Sequence, residues 1–158
     1  MNAFAQFGLE PALEIDAQVL NERFERLRTE FHPDRFSQGG ALERRLAVQR
    51  AADINAAHAV LIDPLARVQL LFEMRGIAPD GTRSVQDNAF LMQQMELREA
   101  LDEAHDAASR DKLRDKLDGL WNAAWARLSE ALHDADAGIA WRELHRLQFL
   151  RRLLEQMN

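Results

Sequence analysis

The stretch RTEFHPDRFSQ, at residues 28–38, places a proline between a histidine and an aspartate directly after an amphipathic segment. The residue before a proline is pushed out of the α region, so Pro33 ends any helix that arrives from the N-terminal side. Asp16 suits the N-cap of that helix. Four apolar residues then share one helix face through i, i+4, i+7 and i+11 spacing: Leu20, Phe24, Leu27 and Phe31. The stretch therefore predicts a loop with two polar side chains at the end of a helix.

Beyond this loop the sequence predicts a second long helix, over about residues 41–62. Its candidates for burial are Leu42, Leu46, Ile54 and Leu61. Asp63 and Pro64 form a cap followed by proline at the first helical position, so a further helix begins there and ends at Gly76. The segment FAQFGL, at residues 4–9, predicts a short apolar helix. The first half of the chain is thus a helical hairpin with short flanking helices.

The stretch GIAPDGTRS, at residues 76–84, is the densest turn-forming segment of the chain. We interpret it as a linker between two domains. Helical periodicity dominates on both sides, and no alternating strand pattern is convincing. The sequence therefore predicts an all-α protein with an N-terminal domain at residues 1–75 and a C-terminal domain at residues 85–158.

The C-terminal domain shows three helical patterns, over about residues 85–107, 110–134 and 139–157, with Ala137-Gly138 separating the last two. One stripe of the middle helix is apolar, through Leu113, Leu117, Leu120, Ala124 and Leu128. Three helices with short connections favour an antiparallel bundle.

The composition excludes several classes of protein. The chain has 158 residues, 47% of them hydrophobic, and a net charge of −6, which argues against a nucleic-acid-binding face. It has no cysteine, so disulfides and thiolate metal sites are excluded. No apolar run approaches the roughly 20 residues of a membrane span, and the N-terminus lacks a signal-peptide pattern. We expect a soluble, cytoplasmic protein.

The polar loop has three chemical interpretations besides a protein contact. A catalytic pair of His32 and Asp34 needs a nucleophile or a pocket, and the sequence offers no cysteine or glycine-flanked serine nearby. A metal site needs paired ligand spacing, which His58, His105 and the other histidines lack. An exposed turn stays open for the tripeptide taken alone. We assign no catalytic residue, no metal site and no cofactor.

Basic residues surround the loop of this acidic chain. The preceding helix carries Arg23, Arg26 and Arg28, and Arg35 follows just past the proline. With FHPDRF between the helices and INAAHAVLIDPLAR at residues 54–67, this region resembles a J-domain, the module that docks on DnaK-family chaperones and triggers their ATP hydrolysis. His58 departs from the pattern, because an aromatic residue is common there.

The resemblance implies roles for the residues that match the J-domain pattern. His32, Pro33 and Asp34 correspond to the trigger residues, and the three arginines of the helix before them to an electrostatic contact. Physical arguments agree with these roles. Pro33 restricts the loop, so less entropy is lost on binding, and arginines steer association with an acidic partner.

The segment NAFLMQQMELREALDEAHDA, at residues 88–107, predicts a helix with two apolar faces. On a helical wheel the core-facing stripe contains Phe90, Leu97, Leu101, Ala104 and Ala108. The opposite side carries Leu91, Met92 and Met95, ringed by Glu96, Glu99, Asp102, Glu103 and Asp106. Like charges at i, i+3 and i+4 cost helix stability, and methionine suits adaptable contacts. We interpret this side as a surface for a partner that is basic around an apolar centre.

The stretch AFLMQQMELREALDE, at residues 89–103, joined to an N-terminal J-domain, resembles the HscB family of iron–sulfur co-chaperones. The resemblance implies that the C-terminal bundle binds the iron–sulfur scaffold protein (IscU type) and delivers it to a specialised DnaK-family chaperone (HscA type). The matching scaffold-binding residues are Leu91, Met92, Met95, Glu96, Glu99, Glu103 and Phe149. A wheel of the last helix also places Phe149 away from the stripe of Leu144, Leu147, Leu150 and Leu154.

The resemblance therefore implies a co-chaperone of the bacterial form, which activates another protein's ATPase and is not itself an enzyme. Two rivals remain open at this point. One is a J-domain co-chaperone with a different client, and the other is an enzyme that uses His32 and Asp34 as an acid–base pair. A helical metal-storage bundle is weaker, because the carboxylates at residues 96–106 lack Glu-x-x-His partners.

Overall fold

The computed structural model describes residues 1–78 and 88–158, and every regular element within them is helical. The prediction of an all-α fold is confirmed. The chain forms two compact units, Met1–Gly76 and Ile77–Asn158. Residues 79–84 of the predicted linker lie outside the described residues, so the linker stays a prediction.

The first unit is built around one long helix. In chain order it contains α1 (Ala3–Gln6), α2 (Ala17–Glu30), a 3-10 helix (Pro33–Phe36), α3 (Ala41–Ile62) and α4 (Pro64–Met74). Helices α1, α2 and α4 and the 3-10 helix all pack on α3. Because α2 and α3 form a hairpin, the polar loop lies at the turn between them.

Capping fixes the ends of these helices as the sequence predicts. The Asp16 carboxylate accepts hydrogen bonds from the backbone N–H groups of Gln18 and Val19 at the start of α2. Asp63 caps α4 in the same way, with Pro64 in the first turn. Gly76 follows α4 with φ of 69°, a left-handed conformation that glycine adopts without strain.

The core of the first unit lies between α1, α2, α3 and α4. Its buried members include Ala3, Phe4, Phe7, Leu20, Ile54, Ala57, Leu61 and Leu71. Arg67 ties the segment between α1 and α2 to this core, because its guanidinium donates to the carbonyl oxygens of Leu13, at 2.8 Å, and Leu61. Burial lowers the pKa of Arg67, while the carboxylates of Glu14 and Asp63 oppose that shift.

The prediction that Leu42 and Leu46 are buried is wrong, since their exposed fractions are 66% and 59%. The two helices of the hairpin differ in length. Arg50 of α3 lies over the ring of Phe31, which marks the end of α2, so residues 41–49 extend about 13 Å past that point. The 3-10 helix packs on α3, and Leu42 and Leu46 keep most of their side chains exposed.

The second unit contains α5 (Asn88–Glu103), α6 (Ala107–His133) and α7 (Ala137–Gln156). Helix α5 packs on both α6 and α7, which pack extensively on each other. The buried residues of one core cluster in this unit are Phe90, Leu97, Ala104, Leu113, Leu117, Phe149, Leu150, Leu153 and Met157. The predicted core-facing stripe is confirmed for Phe90 and Leu97 on α5 and for Ala104 just past its end.

The predicted helix over 85–107 ends earlier, at Glu103. Asp106 is the N-cap of α6, and its carboxylate accepts the backbone N–H of Ser109 at 2.6 Å. Asp106 therefore does not continue the acidic ring of α5, and Ala108 is exposed on α6 rather than buried. The sequence pattern missed this break because the capping aspartate fitted the spacing of the preceding carboxylates.

The break between α6 and α7 also lies earlier than predicted. Ala137 and Gly138 are the first residues of α7, capped by Asp136. The turn instead uses Ala135 with φ of 55°, and the N–H of Asp136 donates to the carbonyl oxygen of Ala131 at 2.8 Å. This is the helix-ending pattern that normally takes glycine at the left-handed position.

Candidate functional site

The loop between α2 and α3 is a turn held by its own side chain. His32 is the N-cap of the 3-10 helix, and its Nδ1 accepts the backbone N–H of Asp34 at 3.2 Å. Pro33 occupies the first position, where its fixed φ suits a helix start. With Nδ1 accepting, a neutral His32 ring carries its proton on Nε2. The loop thus presents an N–H donor and a carboxylate in a geometry that exists before any partner arrives.

Both polar side chains of this loop face solvent. The side chain of Asp34 is 92% exposed and that of His32 is 53% exposed, with 3.6 Å between His32 Nδ1 and Asp34 Oδ2. Beside them lies a cavity of about 360 Å³ lined by Arg28, Thr29, His32 and Arg35. Two guanidinium groups and an imidazole make it suited to an anionic group.

The three arginines of α2 have different surroundings. Arg23 is half-buried, and its Nη1 donates to the carbonyl oxygens of Phe7 and Gly8 at 2.8 and 2.9 Å, so it fastens the N-terminal segment to α2. Arg28 forms an exposed ion pair with Glu25 at 2.9 Å, and Arg26 is exposed. The predicted basic patch is therefore narrower than the sequence indicates, with Arg26, Arg28 and Arg35 at its surface.

His58 fills the aromatic position of the hairpin. Its ring stacks on Phe24 with centroids 4.0 Å apart and an interplanar angle of 19°, and its Nε2 is 2.9 Å from Asn21 Oδ1. An imidazole thus replaces a larger aromatic ring between α2 and α3. His58 thus makes one stacking contact and one hydrogen bond between α3 and α2.

The outer face of α5 is a second candidate surface. The exposed fractions of Leu91, Met92 and Met95 are 48%, 62% and 71%. Their i+3 and i+4 spacing places them side by side on the helix. Glu96, Glu99 and Glu103 are exposed on the same helix. The prediction that the three apolar side chains point away from the bundle core is confirmed.

Phe149 does not belong to an exposed surface, and its prediction as an accessible contact residue is wrong. It is 1% exposed and lies in the core, with its ring perpendicular to that of Phe90 at a centroid distance of 5.9 Å. The guanidinium of Arg98 lies 5.4 Å from the ring centroid. Helix α7 is buried on more than one stripe because α5 and α6 both pack on it. Phe149 therefore stabilises the packing of α5 on α7 from within the core.

Arg146 fixes the orientation of α5, a role that the sequence analysis missed. Its Nη1 donates to Gln93 Oε1 at 3.1 Å, and its guanidinium lies 4.8 Å from the ring centroid of Phe90. The buried carboxylate of Glu143 in turn contacts Arg146 at 3.4 Å and Arg127 at 3.1 Å. An arginine and a glutamate three residues apart in a helix are a common pair, so their spacing does not predict that Arg146 also contacts α5.

The chain matches a described family over its second unit and close relatives over its whole length. The family model named HSCB C-terminal oligomerisation domain matches residues 86–158. A "Co-chaperone protein HscB homolog" from a Shewanella species (strain MR-4) is 36% identical, covering 99% of this chain and 95% of the relative. The chain belongs to the HscB family of co-chaperones.

Solved structures of HscB proteins agree with this assignment. The chaperone HscB from Vibrio cholerae is 34% identical with a TM-score of 0.89, covering 99% of this chain and 95% of that one. Human co-chaperone protein HscB is 25% identical with a TM-score of 0.91, covering 99% and 80%. These matches confirm the predictions of a J-domain fold and of an HscB-type co-chaperone. The sequence resemblance connects this class of co-chaperone with iron–sulfur cluster assembly.

Two further features of this HscB-family chain bear on its chemistry. Among the described residues, no group of three or more histidine, cysteine, aspartate or glutamate side chains gathers as metal ligands would. Within the same part of the chain, no helix combines the length and apolarity needed to cross a bilayer. Two exposed features of the described residues are the loop His32–Pro33–Asp34, called the trigger loop after its predicted role, and the α5 surface, formed by Leu91, Met92 and Met95.

Proposed function

We propose that this HscB-family chain carries an iron–sulfur scaffold protein of the IscU type to a DnaK-family chaperone of the HscA type and stimulates that chaperone's ATP hydrolysis. In this role it forms and breaks no covalent bond itself. It acts in the bacterial cytoplasm, and the cluster is cargo of the scaffold. The observation that carries the proposal is the presence of two exposed surfaces, one in each compact unit.

The trigger loop is suited to docking rather than to catalysis. The capping contact of His32 and the ring of Pro33 restrict the loop in advance, so binding loses little conformational entropy. The exposed His32 and Asp34 then offer one hydrogen-bond donor and one acceptor to a partner. Removing the donor by mutation weakens binding by more than the net contribution of the hydrogen bond. The reason is that the acceptor on the chaperone is then buried without a hydrogen-bond partner.

Electrostatics favour an acidic chaperone surface. The cavity lined by Arg28, His32 and Arg35 can receive a carboxylate, and Arg26 lies on the same helix as Arg28. Exposed charges of this kind mainly raise the association rate and make it sensitive to salt. We therefore assign chaperone steering to Arg26, Arg28 and Arg35, while Arg23 acts by holding the N-terminal segment.

The α5 surface is suited to the scaffold protein. Leu91, Met92 and Met95 supply apolar contact area that adapts to the partner. The carboxylates of Glu96, Glu99 and Glu103 favour a partner with basic residues around an apolar centre. Phe149 and Arg146 contribute indirectly, because they hold α5 on the bundle.

Because the two surfaces belong to one chain, binding of the scaffold protein is coupled to stimulation of the chaperone's ATP hydrolysis. A scaffold held on the second unit is present at a high effective concentration for a chaperone held on the first. The chaperone thus receives its client and its ATPase trigger together, which neither surface achieves alone.

The first experiment tests the trigger loop. His32→Gln should abolish stimulation of the chaperone's ATP turnover while the scaffold dissociation constant and the helical circular dichroism signal stay unchanged. His133→Gln is the matched control, since His133 is an exposed histidine of the second unit, far from the loop in the chain. Stimulation by His32→Gln at the wild-type level would remove the loop from the mechanism.

The second experiment tests the α5 surface. The double variant Met92→Ala/Glu96→Ala should weaken scaffold binding, measured by isothermal titration calorimetry, by about 10-fold or more, because it removes one apolar and one charged contact. Ile139→Ala is the control, as Ile139 is 38% exposed and lies on another helix of the same unit. An unchanged dissociation constant for the double variant would reject the surface.

A further inference from the structure

A second cavity of the first unit, the α3 cavity, lies next to the trigger loop. Its volume is about 540 Å³. Its lining side chains come from the end of α2, the 3-10 helix and the first turns of α3: Phe31, Phe36, Glu43, Leu46, Ala47, Gln49, Arg50 and Asp53. Four of these residues are apolar, so the cavity suits an apolar group.

Apolar side chains continue from the α3 cavity onto the surface. Leu46 is 59% exposed at its edge, and Leu42, one turn earlier on the same helix face, is 66% exposed. These leucines lie on the part of α3 that extends past α2. Adjoining exposed apolar side chains around a concavity are typical of a binding surface, whereas a single exposed leucine needs no explanation.

The walls of the α3 cavity are held in place without a partner. The guanidinium of Arg50 lies 5.3 Å from the ring centroid of Phe31, and its Nη1 donates to Gln6 Oε1 at 3.3 Å. Asp53 Oδ1 accepts from Gln49 Nε2 at 2.9 Å. A preformed cavity lowers the entropy that binding must overcome.

The α3 cavity is continuous with the trigger loop in the chain. Phe31 immediately precedes His32, and Phe36 immediately follows Arg35. Both phenylalanine rings are half-buried and line the cavity. A partner that covers the loop can therefore also reach the residues that line the cavity.

Charge separates the α3 cavity from the neighbouring one. Arg28, His32 and Arg35 line the cavity beside the loop, whereas the α3 cavity carries the carboxylates of Glu43 and Asp53. Its one cation, Arg50, is already in contact with Phe31 and Gln6. The occupant should thus combine an apolar side chain with an adjacent basic residue.

We propose that the α3 cavity receives an apolar side chain of the DnaK-family chaperone, flanked there by a basic residue that meets Glu43. This inference rests on the proposed function, because it extends the surface that the chaperone covers. The chaperone then contacts the first unit through an acidic segment at the loop and a basic, apolar segment at α3. Leu46 is the residue whose loss should matter most.

The experiment compares two substitutions on one helix. Leu46→Gln replaces the branched apolar end of the side chain by an amide and adds no charge. Val48→Gln alters an apolar residue that is 55% exposed but does not line the cavity. Stimulation of a DnaK-family chaperone's ATP turnover is titrated with each variant. Leu46→Gln should raise the half-maximal concentration about 5- to 10-fold, while Val48→Gln stays within about 2-fold of wild type.

The salt dependence of the stimulation distinguishes the apolar contact at Leu46 from the charged contact at Arg26. The loss caused by Leu46→Gln should be the same in low and high salt, because it removes apolar burial. The loss caused by Arg26→Gln should shrink as salt rises. Equal losses at Leu46 and Val48, or a Leu46 loss that salt abolishes, would overturn the assignment of the cavity.

Other occupants give different results. If Leu46→Gln stimulates normally but weakens scaffold binding, or shifts a self-association seen by sedimentation of the wild-type chain, the chaperone is not the occupant. Normal stimulation by both variants, together with loss in His32→Gln, overturns the cavity assignment alone. Absence of stimulation by the wild-type chain overturns the proposed function and this inference with it.

Discussion

Phe149→Ala should destabilise the second unit, because Phe149 is a core residue and not a surface contact. The side chain is 1% exposed and contacts Phe90 edge-on. Removing it leaves a cavity between α5 and α7, and also leaves the guanidinium of Arg98 without its aromatic contact. The same substitution on an exposed binding surface changes affinity and leaves the free energy of unfolding almost unaltered.

The size of the effect follows from the burial of the ring. Truncating a buried phenylalanine to alanine costs about 3–5 kcal/mol, which combines lost transfer energy with the residual cavity. The edge-to-face contact with Phe90 accounts for about 0.5–1.5 kcal/mol of aromatic interaction. With a denaturant dependence of about 1–3 kcal/mol per molar urea, the unfolding midpoint should fall by about 2 M.

Tryptophan fluorescence measures this change selectively. The three tryptophans, Trp121, Trp125 and Trp141, all belong to the second unit, so their signal reports its unfolding alone. Met95→Ala is the control, because Met95 is 71% exposed and should change the free energy of unfolding by less than about 0.5 kcal/mol. A midpoint for Phe149→Ala within experimental error of the wild-type value would refute the placement of Phe149 in the core.

Two further predictions concern helix ends of the second unit. Ala135→Gly should raise the free energy of unfolding by about 0.5–1 kcal/mol, since φ of 55° strains alanine and not glycine; a lower urea midpoint would contradict this. Ser109 donates to the Asp106 carboxylate through its backbone N–H and its hydroxyl, and both bonds lower the pKa of Asp106. A lowered pKa stabilises the fold above the unfolded-state value of about 3.9, and the contribution disappears as pH falls through the folded-state value. Asp106→Ala should therefore lower the urea midpoint at pH 7 by more than it does at pH 3, and equal losses at both would contradict the assignment.

The sequence predicts the features that local chemistry determines. Pro33, Asp16, Asp63 and Gly76 act on their own neighbours, and each ends or begins a helix where the pattern indicates. The outer face of α5 is also predictable, because a helix of known length has only one core-facing side. The exposure of Met92 and Met95 follows from that geometry.

Features that depend on packing between helices are not predictable in this way. A wheel of α7 assumes one buried stripe, yet α5 and α6 together cover enough of α7 to bury Phe149 as well. A wheel of α3 likewise cannot tell that α2 ends near Arg50 and leaves Leu46 exposed. In both cases the position of the neighbouring helix determines whether the residue is buried. The hydrophobic pattern of one helix carries no information about that position.

The trigger loop and the arginines near it also have features that the sequence predicts and features that it does not. The sequence identifies His32, Pro33 and Asp34, but it does not show that His32 caps the 3-10 helix formed by the residues after it. It also treats Arg23 as equivalent to Arg26, although the guanidinium of Arg23 is bonded to the carbonyl oxygens of Phe7 and Gly8. Contacts between residues far apart in the chain distinguish an arginine that is engaged within the fold, such as Arg23, from an exposed one such as Arg26.

The central claim is that one chain joins two partners, and chaperone ATP turnover measures this most directly. The rate should be recorded with the chaperone alone, with this protein, with the scaffold protein, and with both together. We predict a rate with both that exceeds the sum of the separate stimulations, and that Met92→Ala/Glu96→Ala reduces to that sum. A purely additive rate with the wild-type chain would contradict the joining of the two partners.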